Sequence, residues 1–274
     1  MKRIFLKTQE FCHTRMFLSG ICGFLPLIKF YCRFPIAAFG NDKQRFLRPK
    51  YVLVFAALLF VSVFCFAAEN KGKVFYTDGP ADKKKASLTF DDGPGANTEK
   101  ILEILKEKNV KATFFMLGAS VADRPKLAKK VFGAGHEIGN HTYGHVNFFS
   151  YKGEDKEEKL ESEIIKAEET IKKVIGVPPA IMRYPYGYSR KEALDIAKKR
   201  GYKVINWSFG CDWEKKLTTQ EMLQKYLGAL KPGAIFLMHD LNNIPKVPEF
   251  LGDFIDEIKR QGYEIVTVSE LLGF

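Results

Sequence analysis

From Ser87 onward, short and mostly apolar runs alternate with longer stretches that are apolar on one side only. Ser87–Phe90, Ala112–Leu117, Glu137–Gly139, Ala180–Met182, Tyr202–Phe209, Ala234–Met238 and Glu264–Val268 read as strands. Between them, residues 97–108 place Ile101, Ile104 and Leu105 on one helical face. Further helices are expected at Val121–Phe132, Glu154–Ile175, Ser189–Arg200, Thr218–Leu230 and Val247–Gln261. Gly133, Gly176 and Gly201 end the first three of these, and Thr218 is a plausible N-cap. Strands separated by helices need crossover connections, so the sheet should be parallel and right-handed in its crossovers. About seven such units suit a barrel or a doubly wound open sheet, and the periodicity alone does not choose.

The alternation does not reach back to Met1. Residues 1–68 hold ten Lys/Arg against two Asp/Glu, whereas residues 69–274 hold 33 against 30. Most of the formal +11 therefore belongs to the first quarter of the chain. A net +3 on the remainder gives little reason to expect a nucleic-acid partner. Tyr51–Ala68 is 18 residues without a charge, preceded by Arg45, Arg48 and Lys50 and closed by Ala67 and Ala68. That is the layout of a secretory signal, and it is also about long enough to span a bilayer if uncleaved. Basic residues on its N-terminal side predict export of residues 69–274, secreted or anchored, with membrane contact only through this segment. Residues 1–68 are accordingly read as a leader, 69–86 as a linker and 87–274 as one folded domain, expected to be a monomer. Four of five cysteines (Cys12, Cys22, Cys32 and Cys65) lie in the leader. Cys211 is left alone, so no internal disulfide can form in the domain and its stability must come from a packed core.

Chemistry-bearing residues collect after the expected strands, where α/β folds place their sites. Thr89-Phe90-Asp91-Asp92-Gly93-Pro94 sets two carboxylates side by side. A bound cation would make the pair tolerable, with one Asp as ligand and the other as base. Taken alone, the segment also suits an ordinary solvated turn. His141-Thr142-Tyr143-Gly144-His145 spaces two imidazoles for one face of a helical turn and one zinc ion. Thr142 excludes the HExxH pattern, so a base must come from elsewhere. Arg183-Tyr184-Pro185-Tyr186-Gly187 offers a guanidinium that could hold a carboxylate, and a tight turn able to aim a backbone N–H. Asp212-Trp213 and Trp207 lie in the next loop, and His239 leaves a wholly apolar strand poised as acid or base.

In that order, TFDDGP, HTYGH, RYPYG, DW and LMH resemble the motifs of the polysaccharide deacetylase family, the fourth family of carbohydrate esterases. The resemblance runs from about Ser87 to Leu272. It implies a distorted (β/α) barrel with about seven parallel strands and a divalent metal, zinc first, with Co2+, Ni2+ or Mn2+ as alternatives. By position it implies Asp92, His141 and His145 as metal ligands, Asp91 as general base and Arg183 as its orienting partner. It further implies the Tyr186 N–H for the oxyanion, Trp213 and Leu237 for the acetyl pocket, and His239 as general acid. Many members carry another Asp three residues before the Asp-Trp pair. Here Phe209 or Gly210 stands there, and either Asp212 substitutes or the support is absent. The implied activity is release of acetate from the N-acetyl groups of an extracellular glycan. Peptidoglycan N-acetylglucosamine is the first expectation and chitin-type oligomers the second. O-acetyl esterase activity and a non-catalytic glycan-binding module are the alternatives.

Overall fold

A computed structural model describes residues 72–241 and 246–274. The expected leader, with its apolar run at 51–68, lies outside these residues. In chain order the elements are β1 (Phe75–Tyr76), β2 (Lys85–Asp91), α1 (Thr98–Glu107), β3 (Thr113–Met116), α2 (Gly118–Asp123), α3 (Pro125–Gly133), β4 (Glu137–Asn140) and α4 (Lys156–Ile175). They continue with β5 (Ile181–Met182), α5 (Lys191–Lys199), β6 (Lys203–Ile205), α6 (Thr219–Gly228), β7 (Ala234–His239), α7 (Val247–Arg260), β8 (Glu264–Ile265) and α8 (Val268–Leu272).

All strand pairs are parallel, in the order β1-β6-β5-β4-β3-β2-β7. β8 joins β2 at Lys85 and Ala86. The strands are almost continuously buried, as expected for a parallel sheet covered on both faces. Side-chain alternation sorts β2 cleanly. Leu88 and Phe90 join Phe114, Phe236 and residues of α1 and α7 in the outer core. The intervening Ser87, Thr89 and Asp91 point the other way, toward the face that holds Phe115, Ile181, Ile205 and Ile235. α8 closes that inner layer with Val268, Leu271 and Leu272.

The sheet curls until its ends meet. Beyond β6 the chain reaches β7, where the Ser208 N–H donates to Ile235 O and the Leu237 N–H to Phe209 O, both at 2.8 Å. Beyond β1, the Gly79 N–H donates to Gly233 O at 2.8 Å. Gly233 has φ 79° and lies so near Gly79 that a Cβ would sit 2.3 Å from its carbonyl oxygen. Closure through a few bonds rather than a full ladder makes this the distorted (β/α) barrel of about seven strands that the motifs implied.

The structure departs from the sequence reading in places. The segment read as a linker contains β1, which pairs with β6 at Val204 and Ile205. One helix expected over 121–132 is two, broken at Arg124 before Pro125, where the ring forbids a continuing N–H ladder. The strand expected over 202–209 ends at Ile205, and only Phe209 returns to bridge Phe236. The last strand stops at Ile265, because Thr267 caps α8 by accepting from the Glu270 N–H.

Candidate active site

Asp91 and His239 end their strands, Asp92, His141 and Arg183 directly follow theirs, and the other site residues lie in β7 or in the loops beyond β4, β5 and β6. Asp91 ends β2 and pairs in register with Phe115 of β3 and His239 of β7. Asp92 turns away from the strand at φ 75°. Thr142 (67°), His145 (56°) and Tyr186 (58°) share this left-handed backbone. Among the described residues, only Asn109 is a further non-glycine case. Such conformations cost energy in non-glycine residues and gather where the surroundings fix them for a purpose.

His141 and His145 do meet, but not on a helical turn. The positive φ values at Thr142 and His145 fold the segment into a tight loop, with the two rings 5.3 Å apart. Their Nε2 atoms lie 3.3 and 3.1 Å from Asp92 Oδ1. One ligand atom from each of these three residues falls within 4.8 Å of the others. Asp92 Oδ1 is buried and accepts no geometrically sound hydrogen bond. A buried acceptor without a donor, facing two imidazole nitrogens, fits a cation between them. His141 Nδ1 lies 2.6 Å from the Arg183 carbonyl oxygen. Donating a proton there leaves Nε2 with its lone pair toward the cluster. Burial works against ionising Asp92, yet the two imidazoles outweigh it and hold the carboxyl well below its usual range. The same burial opposes charge on His141, and the neighbouring Asp91 and Asp92 carboxylates raise its pKa nonetheless.

Loop 141–145 is held from several sides. The Asn140 side chain accepts from the Thr142 N–H and donates to Ile164 O and the Tyr202 hydroxyl. The Glu163 carboxylate on α4 accepts from the Gly144 N–H at 2.7 Å. Neither Asn140 nor Glu163 was singled out from sequence. An Asn ending a strand just before two His was the available signal, and a Glu within a highly charged helix gave none.

Arg183 is fully buried. Its Nη1 donates to Asp91 Oδ1 at 2.7 Å and to Thr89 Oγ1 at 2.8 Å. Nε and Nη2 donate to the carbonyls of Ile205 and Asn206. The guanidinium also stacks over Phe115 at 4.2 Å. Four hydrogen bonds thus fix the guanidinium, one of them to Asp91, without a second carboxylate behind the arginine.

Opposite stands His239. Its Nδ1 lies 3.1 and 3.2 Å from the two Asp212 oxygens, and its backbone N–H donates to Asp212 Oδ2 at 2.7 Å. Asp212 stands behind the imidazole, while backbone carbonyls serve Arg183. Burial alone would discharge His239, but Asp212 pushes its pKa up to about 9. The Asp212 loop is itself anchored, because the Tyr226 hydroxyl accepts from the Cys211 N–H and donates to Leu237 O. Gly210 lies against Leu237 and Trp213, where a Cβ would come within 3.0 Å of both. Trp213 is half-exposed and edge-on to His239 at 5.8 Å. Tyr186 is exposed and edge-on to His145 at 4.8 Å. Leu237 is buried in β7. All the residues expected at the site converge on this one mouth of the barrel.

A pinned carboxylate, a charged imidazole and a three-donor cluster in one cleft can move a proton in each direction across a polarised bond. By fold and site the protein falls among the (β/α)-barrel hydrolases. The family model described as polysaccharide deacetylase matches residues 78–205. A peptidoglycan-N-acetylglucosamine deacetylase of Bacillus cereus is 36% identical over 200 residues, spanning 71% of this chain and 91% of the relative. The peptidoglycan-N-acetylmuramic acid deacetylase PdaA of Bacillus subtilis is 31% identical over 212 residues, 74% of this chain and 76% of the relative. A solved peptidoglycan N-acetylglucosamine deacetylase superposes with a TM-score of 0.69 at 33% identity, covering 73% of this chain and 94% of that one. A pseudoenzyme of carbohydrate esterase family four from Bacillus anthracis superposes at 0.67 and 29% identity, covering 74% and 70%. The chain belongs to the polysaccharide deacetylase family, hydrolases of N-acetyl amide bonds.

Proposed function

We propose that the protein removes acetyl groups from the N-acetylglucosamine of peptidoglycan, outside the cytoplasmic membrane, with a divalent metal held by Asp92, His141 and His145. The observation that carries this reading is the juxtaposition of Arg183-bound Asp91 and Asp212-bound His239 across that three-donor cluster. Zinc suits two imidazoles and a carboxylate, and Co2+, Ni2+ and Mn2+ suit them too. When bound, such an ion would acidify a water and polarise the acetamide carbonyl.

The chain's own residues supply the rest. Arg183 keeps Asp91 Oδ1 occupied and the carboxylate fixed, so Asp91 can take a proton from the attacking water. The Tyr186 N–H, on its positive-φ turn, donates to the developing oxyanion. His239, kept protonated by Asp212, donates to the departing amine. Trp213 and Leu237 shape the apolar wall around the methyl group.

Peptidoglycan is preferred over chitin-type oligomers because the relatives above are named for peptidoglycan deacetylation. A non-catalytic glycan-binding module is the reading an unsupported His239 would favour, and the Asp212 hydrogen bond to His239 favours catalysis instead. The basic flank and apolar run at 51–68 support export. Acetate release from peptidoglycan, chitooligosaccharides and acetylated xylan, with and without chelator, tests the function. Peptidoglycan should be preferred and chelator should abolish turnover. Chelator-insensitive release, or release from acetylated xylan alone, would overturn the reading. Protease accessibility in intact cells tests the location.

A further inference from the structure

Asp240 has no role in the chemistry above, although it adjoins His239. It is fully buried at the end of β7. Its Oδ2 accepts from Thr98 Oγ1 at 2.5 Å, and Thr98 Oγ1 in turn accepts from the Gly95 N–H at 2.7 Å. The Asp240 backbone N–H donates to Asp91 O at 3.4 Å, and its carbonyl accepts from the Asn97 N–H at 3.2 Å. The side chain presses on the turn that follows the two aspartates. A Cβ on Gly93 would fall 2.2 Å from Asp240 Oδ2 and 2.5 Å from Oδ1, and a Cβ on Gly95 would fall 2.3 Å from Asp240 O. Neither glycine has a positive φ. Both are therefore required by space, and by the same neighbour.

We infer that Asp240 is a positioning residue which, through Thr98, clamps the Gly93–Gly95 turn onto the end of β7 and so sets Asp91 and Asp92 against His239. It touches no reacting atom and works through the residues that do. The inference rests on the proposed function for its catalytic consequence, but the clamp itself can be read without turnover. A loosened turn lets the Asp92 carboxylate wander from the two imidazoles, and ligand-orienting partners typically weigh about 10- to 100-fold in metal affinity.

The test compares full-length wild type with D240A, D240N and T98V. Three readouts are taken: Co2+ affinity and visible absorption spectrum, amide hydrogen exchange of the turn in metal-free protein, and acetate release. D240A should bind Co2+ about tenfold or more weakly with an altered spectrum, and its Gly95 amide should exchange faster. T98V, which keeps the shape of threonine, should shift the same readouts in the same direction. D240N keeps an acceptor for Thr98 and should restore most of the affinity lost in D240A. Wild-type affinity and exchange in D240A overturn the clamp, as does D240N damaged to the same degree as D240A. If D240A does not fold, the same reading is taken on T98V, where unchanged Gly95 exchange overturns it. Wild type that binds Co2+ but releases no acetate overturns the proposed function and leaves the exchange contrast to decide the clamp.

Discussion

A mostly buried imidazole ordinarily gives up its proton, and His239 does not, because Asp212 lies against its Nδ1. Two measurable consequences follow from that balance. Turnover should fall as pH rises through about 9, where the donor of the amine's proton is lost. In D212N that limb should move toward the ordinary imidazole range near 6.5, which a kcat/KM profile would show. The second consequence concerns stability. The folded pKa of about 9 lies above the unfolded value, so His239 stabilises the fold fully below about pH 6.5. That contribution, on the order of 3 kcal/mol, is lost as pH rises through 9. Thermal denaturation in chelator should show wild type, but not D212N, losing stability across this window. At the mouth's other side, D91N should keep metal affinity and lose at least about 100-fold in kcat, whereas H141A should lose the metal. Full turnover in D91N would remove Asp91 from the mechanism. The titrating side chains were legible in sequence because each follows an expected strand. Their supports were less so. Nothing in the pattern says that Arg183 is held by the carbonyls of Ile205 and Asn206, because backbone acceptors carry no residue signature.

At the scale of elements, the loop from His141 to His145 is the informative case. The i, i+4 spacing anticipated that the two rings meet, but for the wrong reason. A helical turn would need negative φ throughout, and Thr142 and His145 are both positive. What supports that backbone is Asn140, whose amide bonds to Thr142, Ile164 and Tyr202 all at once. Asn140→Ala removes these bonds and strands buried partners. It should cost about 2–3 kcal/mol in a denaturant titration and weaken Co2+ binding about tenfold or more. The helices were easier to read than the strands. Thr218, expected as an N-cap, forms a full capping box with Glu221, and Thr218→Ala should cost about 1 kcal/mol with no change in kcat. Strands of two or three residues such as β1, β5 and β6 carry too little alternation to be bounded from sequence, and pairing defines them instead.

For the whole molecule, the sequence pattern left barrel and open sheet undecided, and the difference rests on a few bonds. Ser208 is central among them. Its N–H bonds Ile235 O, and its hydroxyl accepts from the Ile235 N–H and donates its one proton to Asp78 Oδ1 at 2.8 Å, with Thr77 O 3.1 Å away. No apolar periodicity marks such a residue. Metal should also act on the molecule as a whole, since a ligand bound only by the folded state adds stability by mass action. Metal at 100 times its dissociation constant should raise unfolding stability by about 2.7 kcal/mol, and chelator should take that away. An unfolding midpoint indifferent to chelator would argue against a metal held by Asp92, His141 and His145.

The strand order also determines when chemistry becomes available. β2 carries both aspartates, yet along Ala86–Asp91 its neighbour on one side is β7, the seventh strand to leave the ribosome. The expected metal donors are all synthesised by residue 145, nearly a hundred residues before His239 and the strand that seats Asp91. A nascent or clipped chain can therefore own the ligands without owning the cleft. Hydrolysis then reports completion: no proteolytic fragment lacking β7 should release acetate, even where it still picks up metal.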